Sequence, residues 1–396
     1  MVFMGERCYK IHRIMFMAMG LWPYQKLFIW RIQTVIFFMI YSGCFLGQFM
    51  AFLTTTCDMD CFVKRFSYIC INFIYIGSYY SFYFNSETIK QVLEHIQLDW
   101  KMFENSDAIK LFEEYLFGAY ILSLFTYLIV PSSLLLFAAL EYRPVILDAI
   151  IPMNVSRPRK TEVDFELLFF DKQEYFFLFI MAELFAITIG FFSLLVPGTF
   201  FVTLGRHCCA TYKIASCLIE NTAIVHMLQI PFGQKIQFMH QSICLSLYIH
   251  RRTFKFAKDL ILSFDLWYFP LILICALSLS CFLFRLYNSI TRFNDFHEMF
   301  VSCVILFGYL LYMFLANLLA QSYTEHSVEI LKSTYDTLWY LAPLSIQKLF
   351  LIMQESIKAH SIAIGGLFAL SMEGFSGLLT TAVSYFTVLH TIHSGS

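Results

Sequence analysis

Charge is what this chain has least of. Only 14% of its 396 residues are Asp, Glu, Lys or Arg, while 59% are hydrophobic. A soluble domain of that length needs about a quarter of its residues charged to cover its surface, so that class is excluded. The few charges nearly cancel, at a net of −1. No field remains to draw nucleic acid or an acidic substrate. Internal repeats and low-complexity stretches are lacking. No Ser-His-Asp set, HExxH motif or carboxylate pair stands out, so neither enzymatic activity nor a cofactor is expected.

A cleavable signal peptide is missing too. The first apolar run is short, is interrupted by Arg13 and has no small-residue cleavage site. Insertion must then proceed through the chain's own spans. No Cys-x-x-Cys pair occurs among the twelve cysteines. Most of them lie in apolar runs, where a thiol is a small, weakly polar packer. Cys57 and Cys61 share a predicted outer loop, where an oxidising compartment permits a bridge; bridged and free forms both stand. His207, Cys208 and Cys209 are adjacent in sequence and cannot all turn toward one ion. No metal is expected there.

Apolar length is what the chain has in abundance. A hydrocarbon core about 30 Å thick takes roughly 20 apolar residues as a helix. Seven runs meet that test, over 29–54, 62–84, 115–140, 174–204, 260–288, 298–321 and 372–392. The reading is an all-α membrane protein with seven transmembrane helices. Residues 8–22, ending at Pro23, read as an amphipathic helix at the membrane interface.

Basic residues set the orientation, because they are retained on the cytoplasmic side. Segment 205–258 holds Arg206, Lys213, Lys235, Arg251, Arg252, Lys255 and Lys258 against Glu220 alone. Residues 1–26 hold Arg7, Lys10, Arg13 and Lys26 against Glu6. The loop after the first run carries Asp58 and Asp60, and the loop at 141–173 carries the sequon Asn154-Val155-Ser156, a glycosylation site if lumenal. All four place the amino terminus inside and the carboxyl terminus outside. A G-protein-coupled receptor has the reverse arrangement, so no G protein is expected.

Seven segments follow. Residues 1–85 hold the interfacial helix and spans one and two, and 86–114 an inner helical segment. Residues 115–204 hold spans three and four with the outer loop, and 205–258 a basic inner segment. Residues 259–321 hold spans five and six, 322–357 an inner anchor segment, and 358–396 the last span. Ile89, Val92, Leu93 and Ile96, like Val328, Leu331 and Tyr335, recur at helical spacing, so the inner segments are read as one cytoplasmic helical bundle.

The last run differs from the rest. Gly377, Thr381, Ser384, Val388 and Thr391 fall at intervals that align them on one stripe of a helix. Phe375, Leu378, Leu379, Tyr385, Phe386 and Leu389 occupy the other faces. Two readings stand: small residues let helices pack closely, or the stripe lines a pore. Val388 and Ile392, one turn apart, would then form apolar rings that gate by excluding water, and Thr391 would offer hydroxyls to a hydrated cation.

Several short stretches together resemble the insect odorant receptors. They are Gly20-Leu21-Trp22-Pro23, the run from His207 to Ile214, His250-Arg251 with Phe254, Ala257 and Phe264, Leu338-Trp339-Tyr340 with Pro343 and Ile352-Met353-Gln354, and Ser384-Tyr385-Phe386-Thr387. They are ordered and span nearly the whole chain. Gln347 and Ala359-His360 depart from that family's usual Lys or Arg and Pro. The resemblance implies a tetrameric, odorant-gated, non-selective cation channel in the plasma membrane of sensory neurons. Its subunits join through the cytoplasmic anchor. Because this chain lacks the long inner insertion of the family's co-receptor, it reads as a tuning subunit whose partners are that co-receptor, membrane lipid and a small volatile, apolar ligand. Alignment through Tyr385-Phe386 puts Val388 and Ile392 at the gate and Thr391 at the polar pore position, and the stripe adds Ser384 to the pore candidates.

The family's ligand pocket lies in the outer half of helices two, three, four and six. Matching positions here are Tyr68, Asn72, Phe73 and Tyr75; Leu128, Pro131, Ser132 and Leu135; Phe176, Phe179, Ile180 and Glu183; and Phe307, Tyr309 and Tyr312. Each aromatic is equally well explained as packing. Glu183 needs a partner or a proton at that depth. A gustatory-type channel of the same superfamily is the first alternative. A transporter is the second, although its candidate helix breaks, Pro131 and Pro197-Gly198, are not in related positions.

Overall fold

The computed structural model describes residues 4–54, 57–104, 107–151, 162–163, 175–227, 231–293, 296–337, 339–357 and 361–395. Asn154 and Leu338 lie outside them. Eleven α-helices follow in order among these residues: α1 (Met4–Met19), α2 (Leu27–Thr54), α3 (Met59–Phe84), α4 (Ser86–Phe103), α5 (Ala108–Glu141), α6 (Arg143–Ile150), α7 (Phe176–Met227), α8 (Phe232–Asn288), α9 (Phe296–Asp336), α10 (Leu344–Ser356) and α11 (Met372–Gly395). Six of them, α2, α5, α7, α8, α9 and α11, are long and apolar enough to cross a membrane. The second predicted span is α3; its tyrosines and serines dilute its hydropathy, and it is not among the six.

Spans four and five continue far beyond the membrane. Helix α7 runs 52 residues, through Pro197-Gly198 without a break, and α8 runs 57 residues through Pro270. Helix α5 likewise passes through Pro131. The candidate helix breaks are therefore not breaks. Helix α1 does more than rest at the interface. Phe16 is fully buried edge-on against Phe200 of α7, and His12 Nε2 lies 2.9 Å from Thr203 Oγ1.

The inner extensions of α7, α8 and α9 meet α4, the start of α5 and α10 in a water-facing bundle. Phe103, Phe112, Ile219, Ile330, Phe350 and Met353 form part of its core. Burying each large side chain contributes roughly 1.5–3 kcal/mol. A buried polar node stands beside this core. The Asp99 carboxylate of α4 accepts from His207 of α7 at 3.0 Å and pairs with His95 at 3.3 Å and Arg252 of α8 at 2.8 Å. Burial opposes its ionisation, but the hydrogen bonds from the two histidines outweigh that and hold the carboxyl far below its usual range. His207 is thus committed to Asp99 rather than grouped with its neighbouring cysteines.

A short hairpin, unforeseen in the sequence, links the inner bundle to the last helix. Strands β1 (Ala363–Ile364) and β2 (Phe368–Ala369) pair antiparallel, with Ala363 opposite Ala369. Gly365 and Gly366 at the turn have φ of +63° and +66°, which a side chain would strain. The Gly365 N–H donates to Asp265 Oδ1 of α8 at 2.5 Å, and the Phe269 ring fills the space over Gly365. Ser371 then caps α11, its Oγ accepting from the Gly374 N–H at 3.0 Å. A Cβ at Gly374 would collide with the Ala369 carbonyl oxygen. Gly374→Ala should therefore cost about 1–3 kcal/mol by overpacking. A lower thermal midpoint in detergent is the expected result.

Candidate functional site

The outer halves of α3, α7, α8 and α9 form one packed unit, and the predicted pocket residues fall on two sides of it. On α7, Phe176, Phe179, Ile180 and Glu183 recur at helical spacing and are all buried. Tyr68 of α3 is buried in a cluster with Leu279, Phe282, Leu306 and Met313, and Tyr309 packs on it. The Tyr309 hydroxyl lies 2.8 Å from Ser278 Oγ. Tyr75 lies flat over Gly190 of α7, and Tyr312 lies over Gly198, where a Cβ would stand 3.1 Å from its ring. Gly198, a candidate helix break in the sequence, and Gly190 are notches for tyrosines from α9 and α3.

Other predicted positions are not brought there. Asn72 donates to Gln48 Oε1 of α2 at 2.5 Å, and Phe73 packs on Phe45 of the same helix. Leu128, Ser132 and Leu135 lie on the outward face of α5, with Leu135 73% exposed; Pro131 and Phe307 are outward as well. The inward face of α5 is Ser123, Tyr127 and Val130, and the Tyr127 hydroxyl lies 2.7 Å from Thr199 Oγ1. Within a span, apolar residues on lipid-facing and bundle-facing sides look alike, so register alone did not separate them.

Sequence reasoning missed an ionic clasp at the outer end. Arg285 of α8 is buried. It pairs with Glu162 of the outer loop at 2.7 Å and donates from Nε to Glu298 of α9 at 2.7 Å. Lys64 of α3 reaches the same two carboxylates at 3.2 and 3.1 Å. The Tyr68 hydroxyl donates to Glu162 at 2.7 Å, and the guanidinium sits 4.9 Å from the Tyr68 and Phe282 rings. Burial would raise the Glu162 carboxyl, but Lys64, Arg285 and the Tyr68 hydrogen bond hold it below the ordinary carboxylate range. Its contribution is therefore complete above its ordinary value of 4.5 and is lost only as pH falls through the lowered one. The available signal was Arg285 itself, a lone cation in an apolar run that demands a partner.

Backbone amides of the same loop segment are held as well. The Glu162 N–H donates to Glu141 Oε1 of α5 at 3.0 Å, and the Val163 N–H donates to Glu183 Oε1 at 3.2 Å. Val163 thereby enters the apolar cluster around Tyr68. Removing one partner of a buried ion network leaves an uncompensated charge. Arg285→Met should thus destabilise the chain by about 3–5 kcal/mol, visible as lost monodispersity in fluorescence-detected size exclusion.

Helix α11 turns one apolar face inward and its small stripe outward, while Val383 and Tyr385 stand exposed on a further face. Leu378 and Ala382 are buried against α8 and α9. Gly377, Thr381, Ser384, Val388 and Thr391 are all exposed on the single chain, and Val388 and Ile392 are each 55% exposed. The hydroxyls of Thr381, Ser384 and Thr391 donate to carbonyls of their own helix at 2.9, 2.9 and 2.8 Å. They need no neighbour and keep lone pairs facing away from the chain. Near its outer end α11 is tied to the clasp region: His393 lies 3.8 Å from Asp60, which accepts from Asn288 at 2.5 Å. Cys57 and Cys61, left open from sequence, are bridged beside it.

No protein-family model matches this chain, and no curated protein matches it by sequence. Solved structures match by shape, and they define the class: the chain has the all-α membrane fold of an insect olfactory receptor. One such structure is receptor OR5 from Machilis hrabei in complex with eugenol. It has a TM-score of 0.73 and 15% identity, over 97% of this chain and 97% of that one. A second OR5 structure from Machilis hrabei also gives 0.73, at 13% identity, over 96% and 97%. The resemblance read from the sequence leads to the same fold.

Proposed function

We propose that this chain is the tuning subunit of an odorant-gated, non-selective cation channel of the sensory-neuron plasma membrane, assembled with a co-receptor subunit into a tetramer. One observation carries the reading. The small, hydroxylated stripe of α11 is turned away from its own chain, while the helix is held from behind by the cluster that contains Tyr68. A helix used only for packing within its chain would bury that stripe. Lining a shared water path uses it, with Ser384 and Thr391 on the wall and Val388 and Ile392 at the gate.

The ligand site lies among the inward residues Tyr68, Tyr75, Phe179, Ile180, Glu183, Tyr309 and Tyr312. It is apolar with a few polar groups, as small-molecule sites are. Exposed Tyr340, Leu344, Leu351 and Ile352 on the inner bundle support subunit contact there, since exposed apolar patches mark interaction surfaces. A ligand opens the pore only by its difference in affinity for the open and closed arrangements. The test is whole-cell recording against a panel of volatile compounds. Cation currents evoked only with the co-receptor present are expected. Currents without the co-receptor would favour the gustatory-type reading, and silence to every compound in both settings would end the proposal.

A further inference from the structure

A groove opens sideways between α2, α3 and α8. It measures about 500 Å³ and is lined by Thr34, Val35 and Phe38 of α2, Tyr80 and Phe84 of α3, and Trp267 of α8. That volume falls within the roughly 300–1,000 Å³ of a small-molecule pocket. Its surface is almost wholly apolar. The Phe84 and Trp267 rings stack at 5.4 Å and 12°, which closes the side formed by α3 and α8. The chain does not fill the groove itself: Val35, Phe38 and Phe84 stay 61%, 57% and 64% exposed.

The groove lies at the level of the cytoplasmic leaflet. Helix α2 enters the membrane from inside, and its lining residues fall in its inner half. Phe84 is the last residue of α3, which returns to the inside. One turn further in, Arg31 continues the stripe of Thr34, Val35 and Phe38 at helical spacing. It is exposed, and an arginine near a helix end extends its stem to place the guanidinium in the headgroup layer. Lys26, just before α2, is exposed as well. Neither cation has an ion pair among the described residues. On α4, which starts at the same inner end, Glu87 pairs with Lys90 at 3.7 Å and Glu94 accepts from Tyr24 at 3.3 Å. A greasy slot thus opens under two unneutralised cations.

We propose that this groove seats an acyl chain of an anionic phospholipid from the cytoplasmic leaflet, with the lipid's phosphate on Arg31. The chain lies against Val35, Phe38, Phe84 and Trp267, and the phosphate offers the guanidinium two acceptor oxygens. Anionic lipids are found in that leaflet and attract basic residues at its surface. A zwitterionic lipid brings its own ammonium to Arg31 and Lys26, and a sterol brings no anion at all. The site does not depend on the channel reading; it needs only the fold and its orientation in the membrane.

Trp267 supplies the readout, because bromine on an acyl chain quenches an indole only on contact. The full chain is placed in phosphatidylcholine nanodiscs that hold a rising fraction of either phosphatidylserine or phosphatidylcholine with brominated acyl chains. Trp267 emission is the difference between each protein and the same protein carrying Trp267→Phe, a change that keeps a ring against Phe84. Half-quenching by the brominated phosphatidylserine should come at about fivefold lower fraction than by the brominated phosphatidylcholine, as one cation near an anionic headgroup allows.

Arg31→Gln, at an exposed position where folding is not at stake, should bring that ratio near unity, and Arg31→Lys should keep most of it. Lys258→Gln removes the same charge from the opposite face of α8, further inside, and should leave the ratio unchanged. Equal quenching by the two lipids in the unsubstituted chain would mean ordinary contact with bulk lipid and would overturn the site. A preference that survives Arg31→Gln, or is lost equally in Lys258→Gln, would do the same. Trp267 emission untouched by either lipid would mean that protein, such as a second copy of the chain, covers the groove, and would also end the proposal.

Discussion

Cells expressing Val388→Ser together with the co-receptor should carry a standing cation current without ligand, severalfold above that of the unsubstituted subunit. Val388 and Ile392 stand one turn apart on the outward stripe of α11. In a ring of subunits their apolar side chains would face a narrow common axis, and water leaves such a constriction. A serine restores a hydrogen-bonding wall at that level and removes the dewetting that favours the closed arrangement. Every ~1.4 kcal/mol withdrawn from the closed state shifts the open-to-closed ratio about tenfold. Ile392→Ser should act in the same direction. The control is Val383→Ser, on an exposed face of α11 outside the stripe. A standing current equal in Val383→Ser and Val388→Ser, or absent from both gate variants at normal surface density, would remove these residues from the gate.

Asp99→Ala should cost about 3–5 kcal/mol and empty the cell surface of folded protein, because it removes the buried carboxylate that pairs with the Arg252 guanidinium and accepts from His207. Arg252, His207 and His95 all converge on that one carboxylate, from three helices of the inner bundle. Without it, the guanidinium and both imidazoles lose their acceptor beside a packed core of Phe103, Phe112 and Ile214. Asp99→Asn keeps one acceptor oxygen in the same shape and should fall between the two. Lowering the pH does not reproduce the variant in the neutral range. The contribution of Asp99 is complete above its ordinary value of 3.8 and is lost only as pH falls through the lowered one. Thermal unfolding of detergent-purified protein measures the loss; a midpoint for Asp99→Ala within a degree of the unsubstituted protein would refute the role given to this node.

The spans were legible because membrane thickness is written directly into sequence as run length. The run at 29–54 lies within Leu27–Thr54, and that at 372–392 within Met372–Gly395. The outward stripe of α11 was legible because small and hydroxylated residues break the uniformity of an apolar run. Facing was not legible elsewhere. Leu128 and Leu135 are as apolar as Phe179 and Ile180, yet they look outward while the α7 pair is buried. Lipid and protein interior make the same demand on a side chain, so only contacts separate them.

The clasp was out of reach for a different reason. Lys64, Glu162, Arg285 and Glu298 are spread over 235 positions of sequence, and their meeting depends on how four elements pack. Glu183 shows both sides of this limit. Its depth announced that it must have a partner, but the backbone amide of Val163 could not be named in advance.

Helix α8 is about 85 Å long at 1.5 Å per residue, counting its 57 residues. Pro270 lies inside it and deprives the Leu266 carbonyl of its helical N–H. Asp265 and Phe269, the side chains that grip the hairpin leading into α11, flank that weakened turn. The long rod therefore has its softest joint where the base of the last helix is fastened. Any flexing there is geared to α11, so a torque applied in the cytoplasm and one applied from the outer leaflet would work on the same pivot.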